Sequence, residues 1–219
     1  MAVLERAFYM RSALEAAPAL LGKLMVHVTD EGVTAGMIAE TEAYMGPWDD
    51  GAHSYGGRRT ERTSVQYGPG GFAYVFSIYG MHCCFNAVTA EKEKPEVVLV
   101  RALEPVKGIE LMKKRRGTEN IKNLCSGPGK LCAALGITKA QYGLDLSGDE
   151  LFIQDYRDIP EDEIAVSPRI NIDYAEKYRD APWRFYIDGS PFVSKVPGRF
   201  KKTGTLDKTD IRKINGMNI

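Results

Sequence analysis

Ile38-Ala39-Glu40-Thr41-Glu42-Ala43-Tyr44-Met45-Gly46-Pro47 alternates apolar, small and acidic residues and stops at a turn pair. In an extended strand successive side chains point to opposite faces, so Glu40, Glu42 and Tyr44 share one face while Thr41 and Ala43 share the other. Two carboxylates and a phenol in a row call for a cause, because neighbouring carboxylates repel and a buried one is costly unless paired or protonated. Spacing alone leaves two readings open: a solvent-facing strand end before the Gly46-Pro47 turn, or a general base held at a strand end.

Working outward, Leu24 to Val28, the Asp30-Glu31-Gly32 turn and Val33 to Tyr44 read as a β-hairpin. Ser12 to Leu21 reads as a helix with Ser12 as N-cap, Pro18 as a kink or early end and Gly22 as the stop. From Gly46 to Gly71 the chain is irregular and glycine-rich and carries Arg58, Arg59 and Arg62. A loop of that length is either functional or a solvated surface, and its arginines suit phosphates. Phe72 to Ile78 and Cys83 to Thr89 read as two strands around Tyr79-Gly80-Met81-His82, a tip on which glycine permits a sharp turn and an outward aromatic.

Val97 to Val100 is a short apolar run suited to a central strand, ending at Arg101. A helix is expected from about Lys107 to Arg116. Ser126-Gly127-Pro128-Gly129-Lys130 reads as the start of another, with Ser126 as N-cap and free backbone N–H groups forming a small anion site. Its spacing does not match the Walker pattern, which excludes an ATP loop. Leu151 to Gln154 follows, then a polar stretch to Ser167, Arg169 to Ile172, and a strand pair, Trp183 to Ile187 and Pro191 to Val196, joined near Asp188-Gly189. Strands outnumber helices and hairpins dominate. The expected class is α+β, a single domain over 1–219 with a curved, largely antiparallel sheet flanked by helices, its core at about 10–196 and a basic tail at about 198–219.

Hydrophobic content of 44% and charged content of 26% are ordinary for a globular chain. The 29 basic and 29 acidic residues cancel, so anion binding must come from a local patch. Four cysteines form no C-x-x-C pair and there are three histidines, so no metal site is expected. No apolar run approaches the roughly 20 residues of a membrane span. The N-terminus has no signal-peptide pattern, which places the protein in the cytoplasm, with access to a prokaryotic nucleoid.

Eight segments in order resemble the alkyladenine (3-methyladenine) DNA glycosylase family. They are Leu20-Leu21-Gly22-Lys23-Leu24, Glu40-Thr41-Glu42-Ala43-Tyr44 with Gly46-Pro47, Ala52-His53-Ser54, Ala73-Tyr74-Val75, Ile78-Tyr79-Gly80-Met81, Arg101-Ala102-Leu103-Glu104-Pro105, Leu124 to Cys132, and Arg184-Phe185-Tyr186. The resemblance implies a monofunctional enzyme without metal or cofactor. It hydrolyses the N-glycosidic bond of alkylated purines (3-methyladenine, 7-methylguanine), with deaminated purines as further candidates, in duplex DNA by base flipping, for base excision repair. The alternative is a catalytically weak damaged-DNA-binding module of the same fold.

By resemblance Glu42 is the general base and Arg101 helps hold the water and the base. Tyr44, His53, Phe76 and Asn86 line the base pocket, and Asn86 disfavours guanine. Tyr79 is the minor-groove wedge, with Met81 beside it, and Gly129 and Lys130 contact DNA. The implied partner is damaged double-stranded DNA, met from the minor groove by a monomer. No lysine falls at the matching catalytic position, so no Schiff base or strand cleavage is expected. Phe76 stands where a stacking tyrosine is common and lacks its hydroxyl, Trp48 replaces an acidic residue, and Asn171 replaces a small glycine. A carbohydrate hydrolase using Glu40 and Glu42 is the rival from another class, but same-face carboxylates would flank a sugar poorly.

Overall fold

The computed structural model describes residues 2–78, 80–194 and 204–206. Among them the chain forms an open sheet of nine strands, all paired antiparallel. The strands are β1 (Leu24–Thr29), β2 (Gly32–Tyr44), β3 (Ala73–Ile78), β4 (His82–Thr89), β5 (Glu96–Lys107), β6 (Leu151–Gln154), β7 (Ile164–Ser167), β8 (Arg184–Ile187) and β9 (Gly204–Thr205). Four α-helices accompany them: α1 (Arg6–Tyr9), α2 (Ala13–Ala19), α3 (Ile109–Arg116) and α4 (Pro128–Leu135). This is the expected α+β class.

β2 is the strand on which the others converge. β5 pairs along one side of it, from Ala35 to Tyr44, while the other side is shared by β1 at its start and by β8 at Glu40–Glu42. Its residues from Thr34 to Ala43 are buried on both faces of the sheet. The Thr41 hydroxyl donates to the Ala17 carbonyl at 2.8 Å, so α2 lies behind that face and Glu40 and Glu42 project from the opposite one. α2 starts as the sequence requires. Glu15 N–H donates to Ser12 Oγ at 3.3 Å, and Ser12 N–H donates to the Glu15 carboxylate at 3.1 Å, a reciprocal capping box. Pro18 is accommodated in the last turn, and the helix ends one residue later.

Several expectations change. The central run from Val97 does not end at Arg101; β5 continues to Lys107, and Arg101 sits inside it, 6% exposed. An arginine in a buried strand holds its place only through partners, and Glu40 and Glu42 supply them. The N-cap of α4 is Gly127 rather than Ser126, because Pro128 already occupies the first turn and the Ser126 hydroxyl donates to Asn123 instead. The polar stretch before Ser167 contains a strand, β7. Its Ile164, Ala165 and Ser167 are buried although acidic residues precede it. Residues 191–194 form a turn and not the expected strand, with β8 paired instead to β2 and β7, while 195–196 fall outside the described residues. Of the basic tail only Gly204 to Leu206 is described, and there β9 pairs with β7. The long loop after β2 carries three 3-10 segments, Gly46–Trp48, Tyr55–Gly57 and Glu61–Tyr67. Among the described residues no helix is long and apolar enough to cross a membrane.

Candidate active site

Glu40 and Glu42 are both 0% exposed, which rules out the solvent-facing reading of the strand end. Each carboxylate is held in place, but by different groups. Glu40 accepts from Arg101 Nε at 3.0 Å and Arg184 Nε at 2.6 Å, and from the Ser194 backbone N–H and hydroxyl at 2.8 and 2.7 Å. Burial works against its charge, yet the two guanidiniums and Ser194 outweigh burial and hold its carboxyl below the ordinary range. Glu42 accepts from the Ile170 N–H at 2.7 Å through Oε1 and from the Tyr44 hydroxyl at 2.9 Å through Oε2. Arg101 Nη1 lies 3.3 Å from Oε1. Burial, and then the adjacent Glu42 charge, push the Tyr44 phenol well above its usual value, so it remains a donor.

Tyr44 and Arg101 open onto a pocket of about 380 Å³, whose walls also include His53, Tyr74, Phe76 and Asn86. The sequence grouped Tyr44, His53, Phe76, Asn86 and Arg101 as site residues, and the fold brings them to this one cavity. His53 stands edge-on to Phe76, ring centroids 4.7 Å apart. Its Nε2 lies 3.2 Å from Arg62 Nη2, which can only donate, so Nε2 accepts. Nδ1 then carries the hydrogen and donates to the Tyr74 hydroxyl at 2.8 Å. Burial, followed by the Arg62 charge, lowers the His53 pKa to about 4, leaving a neutral ring at physiological pH. The Asn86 amide donates to the Tyr74 carbonyl at 3.0 Å, which fixes its orientation in the wall.

None of the described residues expected to contact DNA lines this pocket. Tyr79 lies outside the described residues. Met81, on the β3–β4 connection, is 79% exposed, an unusual position for a thioether. Gly129 at the start of α4 faces His82, the first residue of β4: a Cβ there would fall 3.2 Å from the His82 Cβ. Lys130 is half-buried, its ammonium donating to Asn123 Oδ1 and Ser126 Oγ. Of the three loop arginines, Arg59 is paired with Glu93 at 2.9 Å, whereas Arg62 lies over the Phe76 ring at 4.8 Å. Trp48 packs edge-on against Tyr178 and Trp183 and so braces the loop. Asn171 adopts a left-handed conformation with φ of 60°, which asparagine tolerates better than most residues.

Sequence reasoning missed four participants: Arg184, Ser194, the Ile170 N–H and the buried Asp49–Arg169 pair. Arg184 was readable in principle, since an arginine starting an apolar strand needs a partner. A backbone N–H carries no sequence signal, and Asp49 and Arg169 are 120 positions apart.

Comparison with known proteins bears on the chemistry. The methylpurine-DNA glycosylase (MPG) family model matches residues 7–191. A relative from Bacillus cereus strain G9842 is 53% identical over 201 residues, covering 86% of this chain and 97% of its own, and bears the provisional name 3-methyladenine DNA glycosylase. Relatives from Bacillus cereus strain Q1 and Bacillus thuringiensis strain Al Hakam share that name and are each 51% identical over 201 residues, with the same coverage. The chain belongs to the methylpurine-DNA glycosylase family and is a DNA glycosylase, a hydrolase of DNA repair.

Proposed function

We propose that the protein excises N-alkylated purines, such as 3-methyladenine and 7-methylguanine, from duplex DNA by extruding the damaged nucleotide into the pocket of about 380 Å³. One observation carries the reading: Glu42 is 0% exposed, beside the pocket that Tyr44 and Arg101 line. A glycosidic bond inside a stacked duplex cannot approach a carboxylate so enclosed, and an extruded nucleotide can. Extrusion costs a few kcal/mol, and a side chain inserted in the vacated step offsets part of it. The Tyr79-Gly80-Met81 tip supplies that wedge from the minor-groove side, with Gly129 and Lys130 of α4 on the flanking backbone, in a protein acting as a monomer.

In the chemical step the C1′–N bond breaks, its electron pair leaves with the base, and the sugar takes on oxocarbenium character that the Glu42 carboxylate stabilises. Water adds to C1′ and its proton passes to Glu42, leaving an abasic site. Arg101, anchored by Glu40, holds the water against Glu42. No lysine lines the pocket among the described residues, which agrees with hydrolysis without a Schiff base. A purine methylated at N3 or N7 is already cationic and departs neutral, favoured by rings that attract cations. Hypoxanthine is neutral and needs a proton to leave readily. His53 cannot supply it at neutral pH because its pKa is about 4, so deaminated purines are the slower substrates.

The two carboxylates do not read as a sugar-hydrolase pair. Both sit on the Arg101 guanidinium, on one side of any substrate, and Glu40 is fully occupied. A duplex carrying one 7-methylguanine, incubated with the protein and treated with alkali, is expected to break at that position, and a hypoxanthine duplex more slowly. A shifted but uncut 7-methylguanine duplex would replace excision with the damaged-DNA-binding reading.

A further inference from the structure

Asp49 and Arg169 are both fully buried and joined through both carboxylate oxygens, Arg169 Nη1 to Oδ2 at 2.5 Å and Nη2 to Oδ1 at 2.7 Å. Neither side chain lines the base pocket. An ion pair in the interior is poor at adding stability, because desolvation cancels most of the attraction, so its retention calls for another explanation. Its neighbours supply one. The Arg169 guanidinium lies over the Tyr44 ring at 4.6 Å and donates to the Ala43 carbonyl at 3.1 Å, fixing the end of β2. Asp49 accepts from the Met45 N–H at 3.0 Å and the Gly51 N–H at 2.9 Å, fixing the turn that follows. The residue after Arg169 is Ile170, whose N–H holds Glu42 Oε1, and the ring beneath the guanidinium belongs to Tyr44, whose hydroxyl holds Oε2.

We propose that the buried Asp49–Arg169 pair is a positioning device for the Glu42 carboxylate, acting through the Ile170 N–H on one oxygen and the Tyr44 hydroxyl on the other. The proposal rests on the reading of Glu42 as the base. Asp49 and Arg169 stand outside the pocket wall and determine the direction in which the carboxylate faces. Tyr44 and Ile170 stand on segments far apart in sequence, and the ion pair is what ties the two together. Trp183 closes the far side, its ring 4.8 Å from the same guanidinium, so Arg169 has little freedom to follow a displaced partner.

Gly51 provides a probe that removes no charge. A Cβ there would fall 2.8 Å from Arg169 Nη2, so alanine must displace the guanidinium. The test measures single-turnover excision of 7-methylguanine at saturating protein, together with duplex affinity and melting temperature, for Asp49→Asn, Arg169→Lys, Arg169→Met and Gly51→Ala. Misdirecting a reacting group by about 1 Å costs on the order of 100-fold. The expected result is a loss of that order in the excision rate of Asp49→Asn, a smaller loss in Gly51→Ala, partial retention in Arg169→Lys over Arg169→Met, and affinity within about threefold of wild type. A merely structural pair would lower the melting temperature and leave the rate of the folded fraction unchanged, and that outcome overturns the proposal. If Asp49→Asn does not fold, Gly51→Ala decides it by the same two readouts. An active Glu42→Gln variant would instead overturn the underlying reading of Glu42, whatever the Asp49 series shows.

Discussion

Glu40 and Glu42 are the same residue type two positions apart on one strand, and what separates them is who holds them. Glu40 is tied by two guanidiniums and Ser194, none of which it can give up without leaving a buried charge. Glu40→Gln should therefore cost about 3–5 kcal/mol of stability, the scale of breaking a buried ion pair. At about 2–4 °C per kcal/mol for a chain of this size, the melting temperature drops by roughly 10 °C. The folded remainder should still excise. A variant that melts like wild type would contradict this account of Glu40. Tyr44→Phe keeps the ring against Arg169 but removes the donor to Glu42 Oε2. Losing one hydrogen bond to a charged group, worth about 1.5 kcal/mol or more, should slow single-turnover excision about tenfold while duplex affinity stays put. The alternation around Glu42 was legible in the sequence because it is local. The division of labour between the two glutamates was not legible in the spacing, which left them equivalent until the resemblance singled out Glu42, since it depends on Ser194, Arg184 and a backbone N–H brought in by distant segments.

At the scale of elements, local chemistry located the starts and stops well. Ser12 and Glu15 are three apart, and they form the capping box that begins α2. Ser12→Ala removes one half of it and should destabilise the protein by about 1 kcal/mol in chemical denaturation; no change would mean that Glu15 and the packing of α2 suffice. The β1–β2 hairpin and the β3–β4 pair were equally readable, from their alternation and their turn residues. Strand lengths and partners were less so. β5 runs through Arg101 because Glu40 and Glu42 neutralise it across the sheet, and no window around Arg101 contains that information. β7 is four residues directly after an acidic turn, and its strand character comes from β8 and β9 on either side.

For the whole molecule, the fold places a neutral histidine where a cation would be costly. His53 faces Arg62 of one 3-10 segment and Tyr74 and Phe76 of β3, and its folded-state pKa of about 4 lies below the unfolded value of 6.5. As pH falls from 6.5 toward 4, the unfolded chain takes up a proton that the folded one refuses, so stability is lost across that window, by up to about 3 kcal/mol. Replacing His53 with Phe should flatten the pH dependence of the unfolding free energy between pH 6.5 and 4, and an unchanged slope would contradict the assignment. The assembled site lay partly beyond the sequence for the same reason: Glu40 and Glu42 of β2, Arg101 of β5 and Arg184 of β8 meet at a point that exists only once the strands have paired. The central claim is that Glu42 is the base and that only an extruded nucleotide reaches it. Single-turnover excision of 7-methylguanine by Glu42→Gln at saturating protein, measured beside its affinity for the same duplex, tests it most directly. The account predicts no excision above background with affinity within about threefold of wild type, and excision at a wild-type rate would contradict it.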